Sequence, residues 1–163
     1  MTRQRYMGLD VGSRRIGVAI GDELGIVATP VGFVEAGPGD RSRLGVLIAR
    51  FGVTDLVVGI PRTMSGEEGP QAKEVRAYAR TLSRDLKIPI TYWDERLTTV
   101  IAERSLISGG RNRQQRRQEV DAAAAAVMLQ GFLDREASKA RRDARGDSAI
   151  LGDGTDRPDR GRE

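Results

Sequence analysis

The chain has 163 residues, no cysteine, no histidine and a formal net charge of +4. Its length suits one domain and a tail. The missing residue types exclude disulfides, a thiolate nucleophile, a Ser-His-Asp triad and His- or Cys-type metal sites, so a hydrolase of this composition depends on carboxylates, whose oxygens suit Mg²⁺ or Mn²⁺.

Met7 to Val11 and Ile16 to Ile20 read as two short apolar strands joined by a turn at Gly12-Ser13-Arg14-Arg15. Asp10 is the anomaly, because it interrupts an apolar run where strand propensity disfavours it. A carboxylate in that position is costly unless a cation or several donors hold it. Gly8 and Gly12 flank it and leave room for a ligand or another backbone. Two readings stay open: an acid that caps its own turn, or a metal or phosphate site on a strand. After the turn Gly21–Gly25, Ile26 to Val34 is a third strand, punctuated by Pro30, and the three strands make an antiparallel meander.

Leu44, Leu47, Ile48 and Phe51 recur at helical spacing, which predicts a helix from Arg43 to about Gly52. Asp55 to Ile60 is a short continuous apolar run after a helix, the pattern of a buried parallel strand. It ends in Pro61–Pro70, a polar Gly/Pro loop of the kind that carries sites at strand ends, or is a plain surface connection. A second helix follows from about Pro70 to Leu86, with Ala72, Val75, Tyr78, Ala79 and Leu82 as its apolar stripe. Pro89 to Trp93 is a further strand, and it runs directly into Asp94 and Glu95. Those adjacent acids form a second candidate site, or serve the dipole and cap of the next helix, which carries Ile101, Ala102 and Leu106.

Gly109-Gly110 breaks that helix. Arg111, Arg113, Arg116 and Arg117 then place four positive charges in a loop, which is either a solvated connection or a phosphate contact. Glu119 to Asp134 is the last core helix. Val120, Ala124, Val127, Met128 and Phe132 are expected on its buried side, and its five consecutive alanines allow close approach to the sheet. Asp121 in its first turn is the third unusual carboxylate, or a dipole-friendly acid. Residues 1–136 are thus expected to form the domain. In 137–163, Ser138 to Arg145 can extend the helix, and the Gly/Asp/Arg/Pro mixture beyond Gly146 is expected to be disordered.

The order predicts an α/β fold: a mixed sheet with an antiparallel edge and helices on both faces. The first strand sits centrally beside Asp55–Ile60, and the strand ending at Glu95 lies beyond. Asp10, Glu95 and Asp121 can then converge. Three carboxylates repel one another unless divalent cations neutralise them, and two such ions about 4 Å apart serve in-line phosphodiester cleavage. A pI of about 9.9 and a basic set dominated by arginine fit a nucleic-acid partner. No stretch of about 18 apolar residues is present, and no signal peptide precedes the first strand. A cytoplasmic location and no membrane association are therefore expected.

Gly8-Leu-Asp-Val-Gly-Ser…Gly-Val-Ala, Val58-Gly-Ile-Pro, Asp94-Glu-Arg-Leu-Thr-Thr99 and Val120-Asp-Ala-Ala-Ala-Ala…Leu-Gln resemble the YqgF (RuvX) family. The resemblance covers about residues 5–136. It implies a ribonuclease H-like fold with a mixed five-stranded sheet, similarity to Holliday junction resolvases, and a nuclease that processes the 5′ end of pre-16S rRNA. It also implies that Asp10, Glu95 and Asp121 are the catalytic acids and hold Mg²⁺ or Mn²⁺. Strand alternation allows only one of Asp94 and Glu95 to face the metals, and the family pattern selects Glu95. Arg96 and Thr98 become candidates for orienting the site or touching phosphate, as do Arg14 and Arg15 beside Asp10. Precursor rRNA is the implied partner and branched DNA the alternative, with the chain a monomer or a homodimer. A non-catalytic RNA- or protein-binding factor is the rival from another class. The hairpin also resembles the phosphate-1 motif of actin/hexokinase-type ATPases, but the chain is too short for the two domains that those enzymes use.

Overall fold

Apolar residues alternate with small or polar ones along Tyr6–Val11, and this strand, β1, takes the centre of the sheet. The computed structural model describes residues 3–94 and 113–146, with the backbone alone for 113–121. The remaining elements in chain order are β2 (Arg15–Gly21), β3 (Ala28–Glu35), α1 (Asp40–Phe51), β4 (Asp55–Ile60), α2 (Pro70–Leu86), β5 (Ile90–Asp94) and α3 (Arg113–Ala144). The expected helix around Ile101, Ala102 and Leu106 and the segment beyond Gly146 lie outside the described residues.

The sheet order is β3-β2-β1-β4-β5. β1 is antiparallel to β2, with Asp10 opposite Gly17, and parallel to β4, with Leu9 level with Val58. β5 joins β4 in parallel, with Gly59 level with Trp93. The three parallel strands therefore end together, and Asp10 lies near that end of β1.

Odd and even residues of β1 meet different partners. Met7 and Leu9 join Ile16, Val18, Leu56 and Val58 under α1 and α2, where Leu44, Val75, Ala79 and Leu82 are buried. Tyr6 and Gly8 face α3, whose Ala125, Met128, Leu129, Phe132 and Leu133 cover Ala19 and Val57. Helices thus occupy both faces, as expected. Among the described residues no helix is long and apolar enough to cross a membrane.

Several boundaries differ from the expectation. β3 starts at Ala28 rather than Ile26, because Asp22 Oδ1 accepts from the Ile26 and Val27 N–H groups at 2.7 and 3.1 Å and keeps both residues in the turn. α1 starts at Asp40 rather than Arg43. Gly39 enters the helix at φ 86°, and the Asp40 carboxylate accepts from the Gly37 N–H at 3.2 Å. The arginine segment is helical from Arg113, so Arg113, Arg116 and Arg117 lie on α3 and not in a loop. Arginine and glutamine favour helix strongly, and no glycine or proline interrupts them there. Arg111 lies outside the described residues. The buried stripe of α3 is also rotated from the expected one. Met128 and Phe132 are buried as expected, but Ala122, Ala125, Leu129 and Leu133 are buried with them, whereas Ala124 and Val127 are only half-buried. The side chain of Val120 is outside the description.

The rotation follows from one close approach. A Cβ at Gly8 would stand 2.9 Å from Leu129 Cβ and 3.2 Å from the Ala125 carbonyl oxygen. The room beside Gly8 is therefore filled by the helix, not kept for a ligand. At Gly12 the space is closed by the hairpin itself, with the Arg15 carbonyl oxygen 2.7 Å from an added Cβ. Replacing Gly8 with alanine forces the α3 backbone to shift. Urea unfolding of Gly8→Ala is expected to show a loss of about 1–3 kcal/mol with an unchanged m-value.

Candidate active site

Asp10 points to the α3 side of the sheet and is partly exposed, while Leu9 beside it is fully buried on the other side. Gly17 is its partner on β2, and one further step of the parallel register sets it beside Gly59 on β4. Both glycines are buried. The row continues outward to Phe33, opposite Gly17, and to Trp93, level with Gly59. Asp10 is thus the one carboxylate of a five-residue row, with no side chain on either neighbour and an aromatic ring at each end.

Trp93 lies against α3. Its ring is edge-on to Phe132 at 6.3 Å, and an added Cβ at Gly131 would stand 3.0 Å from it. The Arg135 guanidinium covers its face at 4.7 Å. Two residues before Gly17 on β2, Arg15 places its guanidinium 5.4 Å from the Phe33 ring centre. The structure therefore brings Arg15 to the face and the strand end that carry Asp10. Arg14 is exposed in the turn, and its carbonyl accepts from the Ala36 N–H at 2.9 Å.

β5 fixes the side of the sheet that Asp94 takes. Trp93 faces α3, so Asp94 faces the side of α1 and α2, level with Ile60. There its carboxylate lies 3.9 Å from Arg62. Asp94 is therefore on the opposite side of the sheet from Asp10. Glu95, Arg96 and Thr98 lie outside the described residues.

α3 runs antiparallel to β1. Phe132 meets Tyr6 at 4.9 Å between ring centres, and Leu129 and Ala125 meet Gly8. Asp121 is one helical turn before Ala125. Two strand residues advance about 6.6 Å and four helical residues about 6 Å. The helix position of Asp121 thus follows the strand toward Asp10, as do those of Arg113, Arg116 and Arg117; these four side chains are outside the description. Among the described residues no group of three acids is gathered as a metal site.

The composition of the β4–α2 loop marks it as a candidate, but its ion pairs are not legible in the sequence. Arg76 forks onto Glu68, with Nε at 2.8 Å and Nη2 on the other oxygen, and stacks 4.5 Å above the Tyr92 ring. Arg62 lies 3.7 Å from Glu68 and also reaches Asp94. The pairs tie the loop to α2 through Arg76 and to β5 through Asp94, residues far apart in the chain. Separately, a cleft of about 330 Å³ opens behind the hairpin on the α1/α2 side, lined by Ser13, Asp40, Glu74 and Tyr78. Burial pushes the Tyr78 phenol up from its ordinary range, and the nearby Asp40 charge adds to this.

Fold and site together define an α/β protein of ribonuclease H-like architecture, with an acid on its central strand. A family model described as RuvX, Holliday junction resolvase, matches residues 4–135, and the chain belongs to the RuvX family. It is 47% identical over 135 residues to a Cereibacter sphaeroides protein named "Putative pre-16S rRNA nuclease", covering 79% of this chain and 82% of that one. It is also 47% identical over 133 residues to a Moorella thermoacetica protein of the same name, covering 80% and 95%. A fowlpox virus resolvase solved with Holliday junction DNA superposes with a TM-score of 0.52 at 6% identity, covering 82% of this chain and 99% of that one. That likeness extends to the fold.

The hydrogen bonds from Arg76 hold the Glu68 carboxyl below its ordinary value, and the Arg76 and Arg62 charges act in the same direction. A depressed folded value means that the brace is fully present above the ordinary glutamate range and is lost as pH falls through the lowered value. Side-chain ¹³C NMR is expected to give Glu68 a midpoint below that of a free glutamate. Arg76→Gln is expected to move it back toward the ordinary range, with Arg62 still holding part of the shift.

Proposed function

We propose that the chain is a metal-dependent nuclease that hydrolyses phosphodiester bonds in structured nucleic acid, with the 5′ end of precursor 16S rRNA as its substrate. The observation that carries this reading is the row across the sheet, with Asp10 between two glycines at the common end of three parallel strands. Family membership and the names of the relatives point the same way.

Asp10, Glu95 and Asp121 are the proposed metal ligands and catalytic acids. The donor set fits a hard divalent cation, since the chain offers oxygen ligands and neither histidine nor cysteine. The orientation of Asp94, away from Asp10's face, supports the choice of Glu95 from that pair. Bound Mg²⁺ or Mn²⁺ would supply an activated water and neutralise the departing oxygen. The chain's own groups place the phosphate. Arg15 is held against Phe33 beside Asp10, Arg14 stands exposed in the turn, and Arg113, Arg116 and Arg117 lie on the same helix as Asp121. Arg96, Thr98 and Arg111 complete the proposed phosphate contacts. The nuclease domain is assigned to residues 1–136 and the cell compartment to the cytoplasm, where precursor rRNA is found.

Asp10→Asn keeps the shape of the side chain and removes its charge. It is expected to lower cleavage of a pre-16S 5′-leader RNA about 10³-fold, equivalent to about 4 kcal/mol of transition-state stabilisation, with an unchanged circular dichroism spectrum. Excess chelator is expected to stop the wild type equally. A four-way DNA junction cut in place of the RNA would move the substrate to branched DNA. Binding without cutting in either metal would leave a non-catalytic factor.

Phosphate contacts release counterions, so affinity falls with salt at a slope set by their number. Replacing Arg113, Arg116 and Arg117 by glutamine keeps helix propensity. The triple variant is expected to reduce the slope of log K against log[salt] by roughly 0.7–0.9 for each phosphate it no longer neutralises. An unchanged slope would remove these arginines from the interface.

A further inference from the structure

Three of the six large apolar side chains exposed among the described residues fall within four positions of the chain. They are Leu24, Ile26 and Val27, each more than half exposed, in the turn between β2 and β3. The turn is held from two sides. Asp22 Oδ1 accepts from the Ile26 and Val27 N–H groups within it. From α3, the Gln130 amide donates to the Ile26 carbonyl at 2.7 Å and accepts from the Ala28 N–H at 2.9 Å. A turn pinned in this way keeps its apolar residues in a fixed place beside the helix.

Turn and helix together form a groove. A cavity of about 480 Å³ has Leu24 and Ile26 on one wall and Leu133, Ala137 and Ala140 on the other. Leu133, Ala137 and Ala140 repeat at the spacing of one helix face, so the stripe that packs on the sheet at Leu133 continues toward the helix end in small residues. Alanine does not fill the space opposite Leu24 and Ile26, and the groove has room for aliphatic side chains.

The chain carries a segment of matching chemistry at matching distance. Gly146 follows α3 in the left-handed region at φ 70°, and its N–H donates to the Asp143 carbonyl at 3.2 Å. A left-handed residue at a helix C-terminus turns the chain off the axis, so that it can run back along the helix. Beyond Leu133 the sequence contains two large apolar residues, Ile150 and Leu151, and no others. Ile150 is four residues past Gly146, an extended reach of about 13 Å. Ala140 and Ala137 lie about 9 and 13 Å back from Gly146 along the helix. The flanking Asp147-Ser148 and Gly152-Asp153 are polar or small and need no burial.

We propose that Ala149-Ile150-Leu151 folds back from Gly146 and lodges in this groove, with Ile150 and Leu151 against Leu24, Ile26 and Leu133. The contact covers the apolar face of the β2–β3 turn and joins that turn, α3 and the following segment into one unit. It is independent of the nuclease reading, because the turn lies at the end of the sheet where β1 begins, opposite the end that carries Asp10.

The test follows methyl groups and backbone amides of the full chain by NMR. Nuclear Overhauser contacts are expected between the methyls of Ile150 or Leu151 and those of Leu24 or Ile26. Amide exchange at 149–151 is expected to be about tenfold slower than in an unstructured chain. Leu24→Ser changes an exposed side chain of the groove and is expected to return 149–151 to the unstructured exchange rate. Ile150→Ser combined with Leu151→Ser is expected to shift the Leu24 and Ile26 methyl signals. Contacts seen only between differently labelled molecules in a mixture would overturn the proposal and make a second copy the occupant. Unprotected amides at 149–151 in the wild type, with no methyl contact to the groove, would overturn it as well.

Discussion

The close approach of α3 to β1 at Gly8 sets the geometry of the rest of the molecule. Because Gly8 has no side chain, Leu129 Cβ and the Ala125 carbonyl come within about 3 Å of where a Cβ would stand. The contact fixes both the rotation and the height of the helix. Rotation puts Ala125, Leu129 and Leu133 against the sheet and turns Ala124 and Val127 partly outward. Height decides which helical turn lies beside which strand residue, and so carries Asp121 toward the end of β1 that holds Asp10. A packing constraint of van der Waals type thereby determines which helical turn stands beside which strand residue.

Alternation along the strands divides the labour between the two faces. Met7 and Leu9 bury one side of β1 in the larger core under α1 and α2, while Gly8 and Asp10 serve the other. The same rule applied to β5 sends Trp93 to α3 and Asp94 to Arg62. Asp94 therefore lies on the α1/α2 side of the sheet. It joins Arg62, Glu68 and Arg76 in a charged brace beneath the β4–α2 loop, an arrangement in which partly exposed pairs help mainly as a network.

Much of this was legible in the residues themselves. The apolar run Asp55–Ile60 and the stripe of α2 define their elements without help, since a buried strand and an amphipathic helix have distinct periods. Asp10 was legible because an acid in an apolar strand needs a reason. The reason for Gly8 was not, because a glycine looks the same whether a ligand or a helix fills its space. The start of α1 was hidden for a similar reason: Asp40 is helical and buried through a hydrogen bond to Gly37, which no apolar period records. Phe33 and Trp93 were invisible as a pair, being 60 residues apart in the chain and joined only by sheet register. The brace on Glu68 depends on the same kind of long-range placement.

The absence of histidine bears on how such a site can work near neutral pH. A general base performs best when its pKa is close to the working pH, and histidine is the side chain that meets this condition unperturbed. A chain without it must either shift a carboxylate far upward by burial or draw its nucleophile from another source. Asp10 is partly exposed and flanked by glycines rather than by apolar side chains, a setting suited to the second course. That course requires carboxylate oxygens open to a cation and arginines that cannot compete as bases, because a guanidinium stays charged at any working pH. Arg15, braced on Phe33 beside Asp10, fits that division: charge for the phosphate on one residue, ligand oxygens on the other. On the proposed reading, the strand row, the arginines and the absence of histidine are parts of one solution to phosphodiester hydrolysis.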